Sequence, residues 1–143
     1  MKQDIQFEPV AGVSVAIVPD ANLSAATSGE ASEATWQVFL LNDNDFPLEN
    51  VLVAADGYGT QPDGQAVRTS TLRYHFPEVA AHSATPIELI DPAVFHLTNQ
   101  YWVSYYRDQQ IFDKKFLFVP DSIVPENLSH LDLLDGRAGV LHG

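Results

Sequence analysis

The stretch from Gln100 to Val119, QYWVSYYRDQQIFDKKFLFV, constrains the fold more than any other part of the chain. It holds seven of the fifteen aromatic residues, and aromatic and β-branched side chains suit a pleated, half-buried surface. The polar break Arg107-Asp108-Gln109-Gln110 is where such a ribbon reverses, so the stretch reads as a hairpin. If Tyr101, Val103 and Tyr105 face a core, Trp102 and Tyr106 point away from it. On the second arm Phe112, Phe116 and Phe118 share one face, and Ile111, Leu117 and Val119 share the other. Both sides of the ribbon are partly apolar, so one of them needs cover from outside the core it closes.

The remaining strand signals lie upstream. Ile5 to Val18 is a first strand region, interrupted at Pro9 and Gly12, with Val13, Val15 and Ile17 at a period of two. Residues 20–34 are small and polar and read as a loop. Thr35 to Asn42 carries Trp36, Val38 and Leu40 on one face, with Phe39 and Leu41 on the other. Leu48 to Ala55 follows, and Gln61-Pro62-Asp63-Gly64 reverses the chain into a second arm at 67–76. Thr85 to Ile90 is a short strand, and Asp91-Pro92 leads into a single helical turn at Ala93–Leu97.

Seven strands with regular turn signals and no long amphipathic helix predict an all-β immunoglobulin- or fibronectin type III-like sandwich. Strands one, two and five are expected in one sheet, and three, four, six and seven in the other. Tyr101 then stands where a tyrosine corner would bond back to upstream backbone. Residues 1–124 are read as the sandwich and 125–143 as a docking tail. The tail carries Leu128, Leu131 and Leu134 at helical spacing, and the tail, a second subunit, or both are expected to cover one side of the hairpin.

A chain of 143 residues buries roughly 70% of the surface its unfolded form exposes, so one domain needs no staple. No cysteine is present, which removes disulfides, thiolate metal sites and cysteine nucleophiles, and fits a reducing compartment. No apolar run has the length of a signal sequence or membrane span, so the expected location is cytoplasmic. Seven basic against nineteen acidic residues give a net charge of −12, which repels a polyanion and argues against nucleic acid. The charge is uneven, because Arg68, Arg73, Arg107, Lys114 and Lys115 all fall in residues 67–119. Such a block is ordinarily a set of solvated strand edges, and otherwise an anion or partner patch.

Signals for chemistry are sparse. Asn42-Asp43-Asn44-Asp45 with Glu49 is a dense set of oxygens of the kind calcium favours, but it lacks the EF-hand glycine and glutamate spacing, and such residues also gather in turns. His75, His82, His96, His130 and His142 show no metal-ligand spacing. Gly57-Tyr58-Gly59 lacks the third glycine and the helix of a dinucleotide site, and no P-loop or GxSxG elbow occurs. Tyr58, Tyr74, Trp102 and Tyr106 would make an aromatic platform for sugar or peptide, or else belong to core or interface.

The phrases NDNDFPLENVLV, IDPAVFHLTNQYWVSYY and IFDKKFLFVPDSIVPENL, with the terminal GVLH, resemble a family of small uncharacterised bacterial proteins often labelled phenylalanyl-tRNA synthetase alpha subunit. The resemblance covers nearly the whole chain and implies a compact single domain. A class II synthetase core needs far greater length and arginine-bearing motifs that grip ATP, and neither is present, so no catalytic residue carries over. The sequence therefore predicts a non-catalytic interaction or assembly module without cofactor or metal, self-associating as a homodimer or binding another protein. Its expected contact residues are Trp102, Tyr106, Phe112, Phe116, Leu128, Leu131 and Leu134. A module binding sugar or calcium is the alternative.

Overall fold

A computed structural model of the chain describes residues 10–19 and 35–143. The expected strand before Pro9 and the 20–34 loop lie outside the described residues. Among the described residues ten strands run β1 Val13–Pro19, β2 Trp36–Asn42, β3 Leu48–Thr60, β4 Ala66–Arg68, β5 Leu72–Val79, β6 Ser83–Ile90, β7 Thr98–Arg107, β8 Gln110–Phe118, β9 Leu128–Leu131 and β10 Arg137–His142. The first sheet has the order β6-β2-β1-β10-β9. In the second, β3 pairs with β7, β7 with β8, and β4 and β5 follow one another along the other side of β3. All pairings are antiparallel, and the two sheets pack face to face as an all-β sandwich.

The expected partition of strands holds, and the count rises from about seven to ten because residues 128–142 add two strands and the expected arm at 67–76 divides into β4 and β5. Period-two alternation accounts for the core. Val13, Val15, Ile17, Val38 and Leu40 from the first sheet meet Val51, Val53, Tyr101, Val103 and Phe116 from the second, all buried. Each fully buried side chain of this size contributes about 1.5–3 kcal/mol over its exposed state.

Turn chemistry sets the registers. Asp108 and Gln109 have φ of 53° and 66°, the doubly left-handed geometry of a two-residue type I′ hairpin, which pairs Arg107 with Gln110. At 61–64 Gly64 takes φ of 89° and donates its N–H to the Gln61 carbonyl at 2.8 Å. The helical turn appears as a 3-10 turn at Pro92–Val94, with Asp91 capping the Ala93 N–H at 2.8 Å. Gly57 and Gly59 serve packing: a Cβ at Gly59 would stand 3.1 Å from Leu97, which is buried.

Residues 128–142 do not form the helix their leucine spacing suggested. Two short strands flank a 3-10 turn at Asp132–Leu134, and β10 pairs along β1, placing Ile17 opposite Val140. Leu131 and Leu134 pack with Ala16, Val18 and Leu41 on the outer face of the first sheet. The segment thus covers an outer face, but of the sheet opposite the aromatic hairpin. Among the described residues no helix is long and apolar enough to cross a membrane.

Candidate functional site

The outer face of the second sheet carries exposed large hydrophobic side chains beside basic residues. Registers place Ala54 between Arg73 and Trp102, with Lys115 beyond Trp102 on β8. The next outward row sets Leu52 between His75 and Ser104, with Asp113 beyond Ser104. Leu52, Trp102 and Tyr106 are 52%, 43% and 42% exposed, so three large apolar side chains stand outward around Ser104 on β3 and β7. The Trp102 indole donates its N–H to Asp113, and the Lys115 ammonium lies 4.6 Å from the ring centroid, so the ring is held from its edge and one face.

Two grooves flank this ring. One of about 320 Å³ is lined by Leu52, Ala54, Arg73, Trp102 and Asp113 among others. The other, of about 440 Å³, runs over Tyr58, Arg68, Arg73, Gln100, Trp102 and Lys115. Its floor holds Asp56, which accepts from Arg68 at 2.9 Å and from Gln100 at 3.1 Å. Three of the chain's seven basic residues thus share one face of a strongly acidic molecule, beside an exposed indole. Their convergence comes from β4, β5 and β8 lying on either side of β3 and β7.

Of the seven expected contact residues, Trp102 and Tyr106 occupy this face. Phe116 is wholly buried, because the I′ turn places it opposite Tyr101 and therefore inward. Phe112 likewise turns inward and stacks on Tyr105, with ring centroids 5.0 Å apart. Leu128 packs against the main core, and Leu131 and Leu134 are buried under the first sheet. Phe116, Leu131 and Leu134 are thus buried, and Phe112 and Leu128 are half-buried against the core. Leu52, Arg73 and Lys115, absent from the expected set, belong to the face. Period two around Val51 and Val53 already marks Leu52 as outward.

A second cluster lies between the sheets. The β2–β6 register shifts by one residue, so that Phe39 faces Pro86 and Val38 faces Glu88, leaving Ile87 as the extra residue. This bulge turns Glu88 inward. Its two carboxylate oxygens accept the Tyr74 hydroxyl at 2.6 Å and the Tyr101 hydroxyl at 2.8 Å. Burial, reinforced by the Glu88 hydrogen bond and charge, pushes Tyr74 up to about 12. Tyr101, more deeply buried and beside the same carboxylate, is raised further. The expected tyrosine corner is therefore replaced by a side-chain bond to Glu88. A cavity of about 310 Å³ opens beside it, lined by Leu72, Leu89, Ile90, Val94 and Asn99. Its carboxylates are engaged, Glu88 by two phenols of the opposite sheet, Asp56 by Arg68 and Asp91 as a cap.

The Asn42–Asp45 turn is likewise structural. Asn42 is fully buried and donates to the carbonyls of Phe46 and Ala80 at 2.9 and 3.0 Å, while its own oxygen accepts from Asn44. Asp43 and Asp45 point into solvent and flank His82, 3.4 and 2.7 Å from its ring nitrogens. Those hydrogen bonds, Asp45 first, raise the His82 pKa above the usual range. Among the described residues no group of three or more His, Cys, Asp or Glu side chains has the arrangement to hold a metal ion. No family model matches the chain, and no curated protein matches it in sequence.

Proposed function

We propose that the chain is a non-catalytic protein interaction module that docks a protein partner on the outer face of its second sheet. The observation that carries the reading is the exposed trio of Leu52, Trp102 and Tyr106, flanked by Arg73 and Lys115. Trp, Tyr and Arg are the residues enriched at the energetic centres of interfaces. A sheet face normally bare to water alternates toward polar side chains, and this one does not at its centre. The strand partition also supports an immunoglobulin-like reading of the sandwich, an architecture widely used to present such faces.

Affinity capture from the native host with wild-type and Trp102→Glu baits tests the assignment. A protein recovered by the wild type and lost with the variant supports it; identical recoveries from both baits refute the face. Trp102 is exposed, so the substitution leaves the core intact, and a matching circular dichroism spectrum verifies this.

A further inference from the structure

We infer that the partner on this face is a second copy of the chain, turned antiparallel and packed sheet to sheet about a two-fold axis. The inference rests on the docking-face reading above and names its occupant.

Three successive outward rows of the face are involved. The first contains Arg73 and Trp102, the second Leu52, and the third Glu78 and Tyr106, with Glu78 opposite Glu49 and Glu49 opposite Tyr106. Same-face rows are spaced by about 7 Å along the strands. The positive row and the negative row therefore lie on either side of Leu52. An axis lying in the interface, across the strands and through the Leu52 row, lays the first row of one copy on the third row of the other. Because that operation keeps each strand over its own counterpart, Arg73 on β5 meets the partner's Glu78, also on β5. Trp102 on β7 meets the partner's Tyr106, and Leu52 meets the partner's Leu52. The Arg73–Glu78 and Trp102–Tyr106 contacts each occur twice, and the Leu52 pair lies on the axis, as an isologous interface requires.

Two features of the single chain point the same way. Glu49 and Glu78 are exposed and directly opposed across a strand pair, an arrangement of like charges that destabilises a sheet. Among the described residues no cation is paired with either of them, and Arg73 is paired with no carboxylate. The two-fold pairing answers both at once, bringing each Arg73 to a glutamate pair that needs a counter-charge. The apolar trio occupies the centre of the contact and the charges its rim, the usual anatomy of a specific interface. Sheets packed this way cross at about 30°, which keeps the contact tightest at the Leu52 row.

Sedimentation equilibrium on the full chain across a dilution series, with charge-swapped variants, tests this. The wild type should approach twice the chain mass as concentration rises. Arg73→Glu and Glu78→Arg should each weaken association by tenfold or more, since each sets like charges against each other twice. Mixed one to one, the two variants should associate again, because every rim pair then regains opposite charges. Circular dichroism establishes that both variants fold. A wild type that stays one chain at every concentration overturns the inference, as does a mixture of folded variants that fails to associate. A wild type that stays one chain yet captures another protein through Trp102 overturns the second-copy assignment and leaves the docking face standing. Failure of both experiments removes both readings.

Discussion

Replacing Glu88 with Gln isolates the bond that joins the two sheets. The carboxylate accepts two phenolic hydroxyls, at 2.6 and 2.8 Å, from β5 and β7 of the opposite sheet. Hydrogen bonds to a charged group contribute about 1.5–3 kcal/mol each, against about 1 for neutral pairs. Gln has nearly the same shape but one acceptor oxygen and no charge, so one bond is weakened and the other must be remade with the amide as donor. The expected loss is about 2 kcal/mol, or ~6–8 °C in Tm for a domain of this size. Urea unfolding followed by tyrosine fluorescence measures it, and a cycle with Tyr101→Phe should return a coupling of about 1 kcal/mol. The pH dependence carries an independent signature. Both phenols titrate above their unfolded value of 10.0, so their contribution is fully present below pH 10 and is lost as pH rises through the folded values, from 10 to about 12 for Tyr74. In Glu88→Gln the Tyr74 phenolate, read by absorbance near 295 nm, should appear at lower pH than in wild type, burial keeping it above 10. Superimposable urea curves for Glu88→Gln and wild type, within about 0.5 kcal/mol, would refute the role given to this cluster.

Four other substitutions probe separate parts of the account. Phe116→Ala should destabilise by about 3–5 kcal/mol because its ring is wholly buried, while Trp102→Ala on the same hairpin should stay within about 0.5 kcal/mol under conditions where the chain is dissociated; comparable losses would mean that the faces of β7 and β8 are misassigned. Gln109→Gly should stabilise by about 1 kcal/mol, since Gln109 sits at φ of 66° in the I′ turn, and a thermal melt that falls instead would contradict that backbone geometry. The His82 ring should titrate above 6.5 by NMR and fall back toward 6.5 in Asp45→Asn; because its folded value is raised, whatever stability it lends is present below pH 6.5 and disappears as pH rises through the folded value.

The hairpin and the sheet partition were readable because alternation and turn residues carry them directly. Arg107 to Gln110 reads as the reversal from residue type alone, and that turn fixes Tyr105 opposite Phe112 and Tyr101 opposite Phe116. Placing Phe112 and Phe116 on the surface overlooked this consequence of a two-residue loop, which forces paired residues to the same side. The leucines of the tail were ambiguous for a different reason. A spacing of three fits a helix, and it equally fits a strand residue followed by a 3-10 turn that folds back over it. Asp135 at φ of 57° and Gly136 at φ of 82° make that return, and only the pairing of β10 with β1 selects it. Glu88 left no local trace, because its inward aim comes from a bulge defined by a partner strand some 50 residues away in sequence. The docking face was half legible: Trp102 and Tyr106 follow from parity within β7, whereas Arg73 and Glu78 join them only through pairing with β3.

Hydroxyl-radical footprinting with mass spectrometry reads single side chains, and it tests the cover over the second sheet without any substitution. Between dilute and concentrated protein, oxidation at Leu52, Trp102 and Tyr106 should fall together, while Leu89 and Leu141, 64% and 46% exposed elsewhere on the sandwich, keep their dilute-state reactivity. Unchanged oxidation at Trp102 alongside the two control leucines would contradict the account.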